Sequence, residues 1–182
     1  LHGSIGALIT SFLVIPVITF MSKKIGKKKA FVVSQLISII GYILFWFLFI
    51  PGKPYMFLFA LPFHSFGIGS LFTIMMSMTA DICDLDELEN GKRREGVLGA
   101  VYWWMVKLGF GVAGLLSGLA LQFVGFDADN VTEFAIDGMR IFYTLVPIAG
   151  ILISIYIMKD YDITEERANE IKEQLKLKNN NK

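Results

Sequence analysis

Five long apolar runs dominate this chain, and they leave few options for its fold. They cover roughly Gly3–Met21, Ala30–Ile50, Tyr55–Ala80, Val97–Val124 and Met139–Met158. A helix needs about 20 apolar residues to cross a hydrocarbon core about 30 Å thick. Strands that span a membrane are about 10 residues long and alternate in polarity, which these runs do not. A helix satisfies its own backbone hydrogen bonds in lipid, so five transmembrane helices are expected. Composition agrees: 54% of residues are hydrophobic and 18% charged. The formal net charge of +1 gives no reason to expect a nucleic-acid partner. The lipid bilayer is the first partner the sequence implies.

The connectors divide the cations unevenly. Lys23, Lys24, Lys27, Lys28, Lys29, Lys92, Arg93, Arg94, Lys159, Arg167, Lys172, Lys176, Lys178 and Lys182 fall on one side of the expected bundle. Lys53 and Arg140 fall on the other, and Lys107 lies inside a run. The lysine-rich side is expected to be cytoplasmic. That places the first residue outside and the C-terminus inside a plasma or inner membrane, in a multi-pass arrangement. Residues 1–158 form the expected transmembrane bundle and 159–182 a cytoplasmic tail helix. The tail carries Ile163, Ile171 and Leu175 on one face, and Asp162 or Thr164 can act as its N-cap. It reads either as a solvated helix or as one that lies on a membrane or partner surface.

Lys107 is the residue most suggestive of function. It stands about ten residues into the fourth run, near mid-depth, where a lysine costs a few kcal/mol to insert. Its stem is too short to reach an interface from there. All sixteen acidic residues lie outside the runs: six in 81–95, four in 127–137 and six from Asp160 onward. A buried ammonium needs a carboxylate or a wet cavity. Lys107 therefore either lines such a cavity or meets carboxylates from protein beyond this chain. Trp103, Phe110, Gly111 and Gly114 share its helix face. Gly114 and Gly118 make a small-xxx-small pair suited to close helix packing. Tyr102, Trp103 and Trp104 sit deeper than an interfacial belt. Aromatic rings beside a charge suit a sugar, with its apolar face and hydroxyl edges; bundle packing is the other reading.

The stretch Asp81–Gly96 mixes acids with Lys92, Arg93 and Arg94. It reads as a solvated loop with ion pairs of little worth, or as a gate whose charges pair when a cavity closes. His64, after Pro62, is expected either to relay protons or to bond a carbonyl freed by a proline kink. Asn130-Val131-Thr132 is a glycosylation sequon in form only. Cys83 is the single cysteine, so neither an internal disulfide nor a metal cluster is expected. No cofactor is expected. The spans lack the clustered His, Asp, Glu or Ser-His pairs of a membrane-embedded enzyme, and a structural membrane protein would not keep Lys107 at mid-depth. No signal peptide is expected, and a chain opening at Leu1 reads as a piece of a longer protein.

The segment MSMTADICDLDELENGKRREGVLGAVYWWMVKLGFGVAGLLSGLAL, Met76 to Leu121, resembles the glycoside–pentoside–hexuronide:cation symporters of the major facilitator superfamily, the melibiose permease-like family. The shared pattern is Ala80-Asp81 at the end of a span, an acidic stretch, Arg93-Arg94-Glu95, and Lys107-Leu108-Gly109 in the next span. SKKIGKKK resembles the superfamily's Gly-Lys/Arg loop, and DYDITEERANEIKEQL the family's ending. The resemblance implies an all-α membrane protein, with these spans as the last five of a twelve-helix fold. It implies a sugar-like substrate and a coupling cation, Na+ or H+, held mainly by an N-terminal helical half that this chain lacks. It maps the substrate and cation site onto Lys107, Tyr102, Trp103 and Val106, and a cytoplasmic gate onto Asp81, Arg93, Arg94 and Glu95. Tyr102-Trp103-Trp104 is bulkier than the permease at that place. A carrier of a lipid or another organic solute within the same superfamily is the alternative.

Overall fold

The computed structural model describes residues 2–50, 53 and 55–180. The described residues form six α-helices: α1 (His2–Ile25), α2 (Lys27–Leu48), α3 (Leu61–Asn90), α4 (Glu95–Phe123), α5 (Glu133–Ile157) and α6 (Glu165–Asn180). Short 3-10 turns at Met56–Phe59 and Met158–Asp160 precede α3 and follow α5. No strand occurs among the described residues. Four helices, from α2 through α5 with its 3-10 extension, are long and apolar enough to cross a membrane. α1 is the fifth long helix, at 24 residues with Pro16 inside it. The architecture is the all-α membrane bundle that the apolar runs demand.

Helix ends follow local chemistry. A single residue, Gly26 with φ 84°, turns the chain from α1 into α2, a conformation that side-chain-bearing residues rarely adopt. Gly91 with φ 68° closes α3, its N–H donating to the Glu87 carbonyl at 2.9 Å. Thr132 caps α5 by accepting from the Ala135 N–H at 3.2 Å, which gives the sequon threonine a structural task. Thr164 caps α6 in the same way, accepting from Arg167 N–H at 3.2 Å.

Three sequence expectations need correction. The stretch from Asp81 is not a loop: α3 runs on to Asn90, and only Gly91–Arg94 break the helix before α4. Pro62 lies in the first turn of α3, where no intrahelical carbonyl waits for its missing N–H, so it frees none for His64. His64 instead meets Tyr42 and Phe45 edge-on, at ring distances of 5.2 and 5.6 Å. Gly114 and Gly118 have nothing within 4 Å of where a Cβ would stand. The close helix contact is elsewhere, between α2 and α3. A Cβ on Gly41 would lie 2.6 Å from the His64 backbone nitrogen, and one on Gly67 would lie 2.3 Å from Ser38 Oγ.

That contact carries a polar seam through the apolar bundle. Ser34, Gln35, Ser38, Ser65 and Ser70 are all buried. Gln35 Nε2 donates to Ser70 Oγ at 3.2 Å and to the Gly67 carbonyl at 3.4 Å. Thr10 of α1 and Ser65 of α3 share a hydrogen bond of 3.0 Å. Small polar residues let the backbones approach. Gln35, Ser65 and Ser70 are bonded across the interfaces, while the buried Ser34 hydroxyl has no partner among the described residues. At the lysine-rich end, Val14, Ile18, Ala30, Phe31, Ile74, Met78 and Met158 form the apolar core. α4 is different: no residue in it is buried among the described residues.

Candidate functional site

Lys107 lies on α4, twelve steps after Glu95, so about 18 Å along a helix of 29 residues. It is exposed, and among the described residues no ion pair or hydrogen bond reaches its ammonium. Trp103, Phe110, Gly111 and Gly114, on the same stripe, are exposed too. The face opposite is the one that packs. Tyr102 and Val106, one turn apart, are half-buried. The Tyr102 hydroxyl donates to the Leu71 carbonyl at 3.4 Å, and its ring meets Trp103 edge-on at 5.4 Å. Of the four residues assigned to the substrate site, Tyr102 thus ties α4 to α3, Val106 is half-buried, and Lys107 and Trp103 are exposed.

Leu71 also borders a cavity of about 260 Å³ between α2, α3 and α5, with Gln35, Ser38, Tyr42 and Ser154 on its walls. The sequence reading missed this pocket. The available signal was Ser34-Gln35-Ser38, three polar residues in a span that otherwise reads as apolar.

The four residues assigned to the gate fall into two separate groups. Asp81 is 2% exposed on α3. It accepts from Lys27 Nζ at 2.5 Å and from Lys172 Nζ at 3.4 Å. The buried Tyr161 hydroxyl lies beside the same carboxylate; burial, and then that charge, push its pKa up. Arg93, Arg94 and Glu95 instead organise the α3–α4 junction. Arg93 pairs with Glu95 at 2.9 Å, Glu87 at 3.0 Å and Asp84 at 3.4 Å. Arg94 Nε donates to Asp86 at 2.8 Å, and its Nη2 makes a second bond to the same carboxylate. This fork is the bidentate arrangement that arginine makes with a carboxylate.

The lysine-rich joint does more than mark one side of the bundle. Lys28 Nζ donates to the Lys159 carbonyl at 2.8 Å and the Tyr161 carbonyl at 2.7 Å, closing the end of α5. Lys178 Nζ donates to the Leu88 carbonyl at 3.2 Å. With Ala168, Ile171 and Leu175 buried, α6 lies along the extended end of α3. The tail is docked on its own bundle. No cluster of His, Cys, Asp or Glu able to hold a metal occurs among the described residues.

α4 is thus uncovered, Lys107 on it is unpaired among the described residues, and the charged end is tied by several ion pairs. Residues 3–165 match the family described as MFS/sugar transport protein. The chain is 31% identical over 157 residues to the glucuronide carrier protein homolog of Escherichia coli (strain K12), covering 86% of this chain and 34% of that protein. It is 25% identical over 164 residues to the isoprimeverose transporter of Lactiplantibacillus pentosus, covering 87% and 33% respectively. An uncharacterized symporter of Bacillus subtilis (strain 168) is 25% identical over 167 residues, 91% of this chain and 36% of that one. The chain spans about a third of the length of these curated relatives. With nearly its whole length matched, this chain belongs to the MFS/sugar transport protein family.

Proposed function

We propose that these residues form the C-terminal part of a secondary active transporter that moves a glycoside, pentoside or hexuronide together with a cation. Relatives named as a glucuronide carrier, an isoprimeverose transporter and a symporter support that substrate class. The observation that carries the reading is Lys107, an ammonium in mid-helix on a face of α4 that this chain leaves uncovered. Such a charge in a membrane-crossing segment is costly and marks a transport pathway. Its partners are carboxylates from an N-terminal helical half, which also supplies most of the ligands for Na+ or H+. Trp103 offers its ring to the sugar beside Lys107. Tyr102 sets the position of α4 against α3 through the Leu71 carbonyl, and Val106 lies one turn further along α4. The two halves rock about the site at mid-depth, in alternating access.

The lysine-rich end is cytoplasmic in this reading. There Arg93, Arg94 and Glu95 form the moving part of a gate, and Asp81 is its fixed anchor. Full-length protein in proteoliposomes provides the test. Radiolabelled glycosides, pentosides and hexuronides are offered under an inward Na+ or proton gradient. Accumulation of one class that collapses with its gradient is expected. Equal, gradient-independent equilibration of all three would remove the symport reading.

A further inference from the structure

The end of the bundle opposite the lysine-rich joint carries two cations, Lys53 and Arg140, and both line one cavity of about 440 Å³. This volume lies within the range of small-molecule sites. The remaining walls are apolar and aromatic, with Phe49 and Phe57 stacked at 5.8 Å and Met139 and Tyr143 across from them. The Arg140 guanidinium is only partly used. Its Nη1 donates to Asp137 at 3.1 Å and its Nη2 to the Phe49 carbonyl. Its Nε is buried and has no acceptor among the described residues. Asp137, at 65% exposed, keeps most of its charge in solvent. Among its lining residues the cavity offers two cations and a spare buried N–H and no acid; Asp137 at its rim pairs with Arg140, which leaves the Lys53 ammonium and the Arg140 Nε without an anion from the lining.

The charge calls for an anion, and the walls call for an apolar body attached to it. A sugar presents hydroxyls on most sides and would find few partners here. None of the residues lining the cavity belongs to α4, which carries Lys107. The site stands at the ends of α2 and α5, both long and apolar enough to cross a membrane, and so at the level of lipid headgroups. We propose that this cavity binds an anionic phospholipid, with the phosphodiester on Arg140 Nε and the Lys53 ammonium. The acyl chain lies along Phe49, Phe57 and Met139. The pairing of basic side chains with an anionic headgroup is the same chemistry by which basic pockets on the cytoplasmic side of other membrane proteins hold lipid, placed here at the opposite end.

Native mass spectrometry of the full-length protein tests the site, with phosphatidylglycerol and phosphatidylcholine of identical acyl chains as probes. Wild type is expected to retain phosphatidylglycerol about tenfold better, and Lys53→Gln should cut that preference about fivefold. Arg140→Gln should abolish it. Because Arg140 also holds the Phe49 carbonyl, Lys53→Gln, whose residue is exposed, is the deciding variant. Equal retention of the two lipids by wild type, or an unchanged preference in Lys53→Gln, would overturn the proposal. So would displacement of the lipid by inorganic phosphate or glycerol phosphate at equal concentration, which would assign a soluble anion to the site.

Discussion

Lys27 donates to Asp81 at 2.5 Å across 54 residues of sequence, tying the start of α2 to the far end of α3. The carboxylate is 2% exposed and the lysine side chain 11%. Such a pair gains little net energy over an apolar contact, but breaking it leaves a buried charge without compensation. Lys172 of α6 reaches the same carboxylate at 3.4 Å, so this acid joins three helices.

Asp81→Asn is therefore expected to lower unfolding stability by about 3 kcal/mol. Lys27→Met should cost a comparable amount, whereas the double variant should cost clearly less than the two combined. Thermal denaturation of the purified full-length protein in detergent gives all three values. Additive losses would show that the two residues act independently, despite their distance.

The α2–α3 contact makes a second prediction. Gly41→Ala places a Cβ 2.6 Å from the His64 backbone nitrogen, which cannot rotate away. A loss of about 2 kcal/mol is expected, typical of overpacking. Gly109→Ala meets nothing within 4 Å among the described residues and, in a helix interior where Ala is favoured over Gly, should not bring the loss expected of Gly41→Ala. The same denaturation assay distinguishes them, and equal stabilities would mean that the helices are not held at this spacing.

Much of this architecture is legible in the sequence, for a physical reason. Long apolar runs are required by the bilayer, so α2 to α5 follow from them, and the first run corresponds to the 24-residue helix α1. The end of α3 does not follow, because hydropathy counting stops at the first acids. Asp81 is buried there against Lys27 of α2 and Lys172 of α6, a tertiary fact. The lysines of SKKIGKKK announce a side of the membrane as a group; that Lys27 and Lys28 each hold a specific acceptor depends on the fold. Ile171 and Leu175 were readable as the stripe of the tail helix, while their partner surface was not. Lys107 was conspicuous because charge in an apolar run always is, but its ion partners are absent from the described residues.

The docked tail gives a third prediction. Ile171 is 1% exposed, so Ile171→Asp should release α6 from α3. Trypsin should then cut after Arg167 and Lys172 at least about tenfold faster than in wild type, as expected when opening costs fall by more than ~1.4 kcal/mol. Peptide mapping of limited digests reads this directly. Unchanged cleavage would mean that the tail is already free in solution.

The last prediction concerns Lys107. An idle ammonium at its depth costs about 3 kcal/mol on insertion scales. Nothing among the described residues neutralises it, and its face of α4 is uncovered. Under the proposed reading, carboxylates across the cavity balance that charge. A cation entering such a cluster changes the local field and with it the affinity for sugar, which is how two solutes become coupled. Removing the ammonium should then break coupling without breaking the fold, since leucine suits both the helix and the membrane. Lys107→Leu is expected to reach wild-type membrane abundance and lose about tenfold or more of its gradient-driven uptake, at least ~1.4 kcal/mol of coupling. Lys107→Arg should also be impaired, because a planar fork does not replace a compact ammonium. Uptake against a cation gradient, normalised to protein in the membrane, decides the matter. Full coupled uptake by Lys107→Leu would show that the lysine merely extends along the helix toward water, and the site would have to be sought around Gln35 and Ser38 instead.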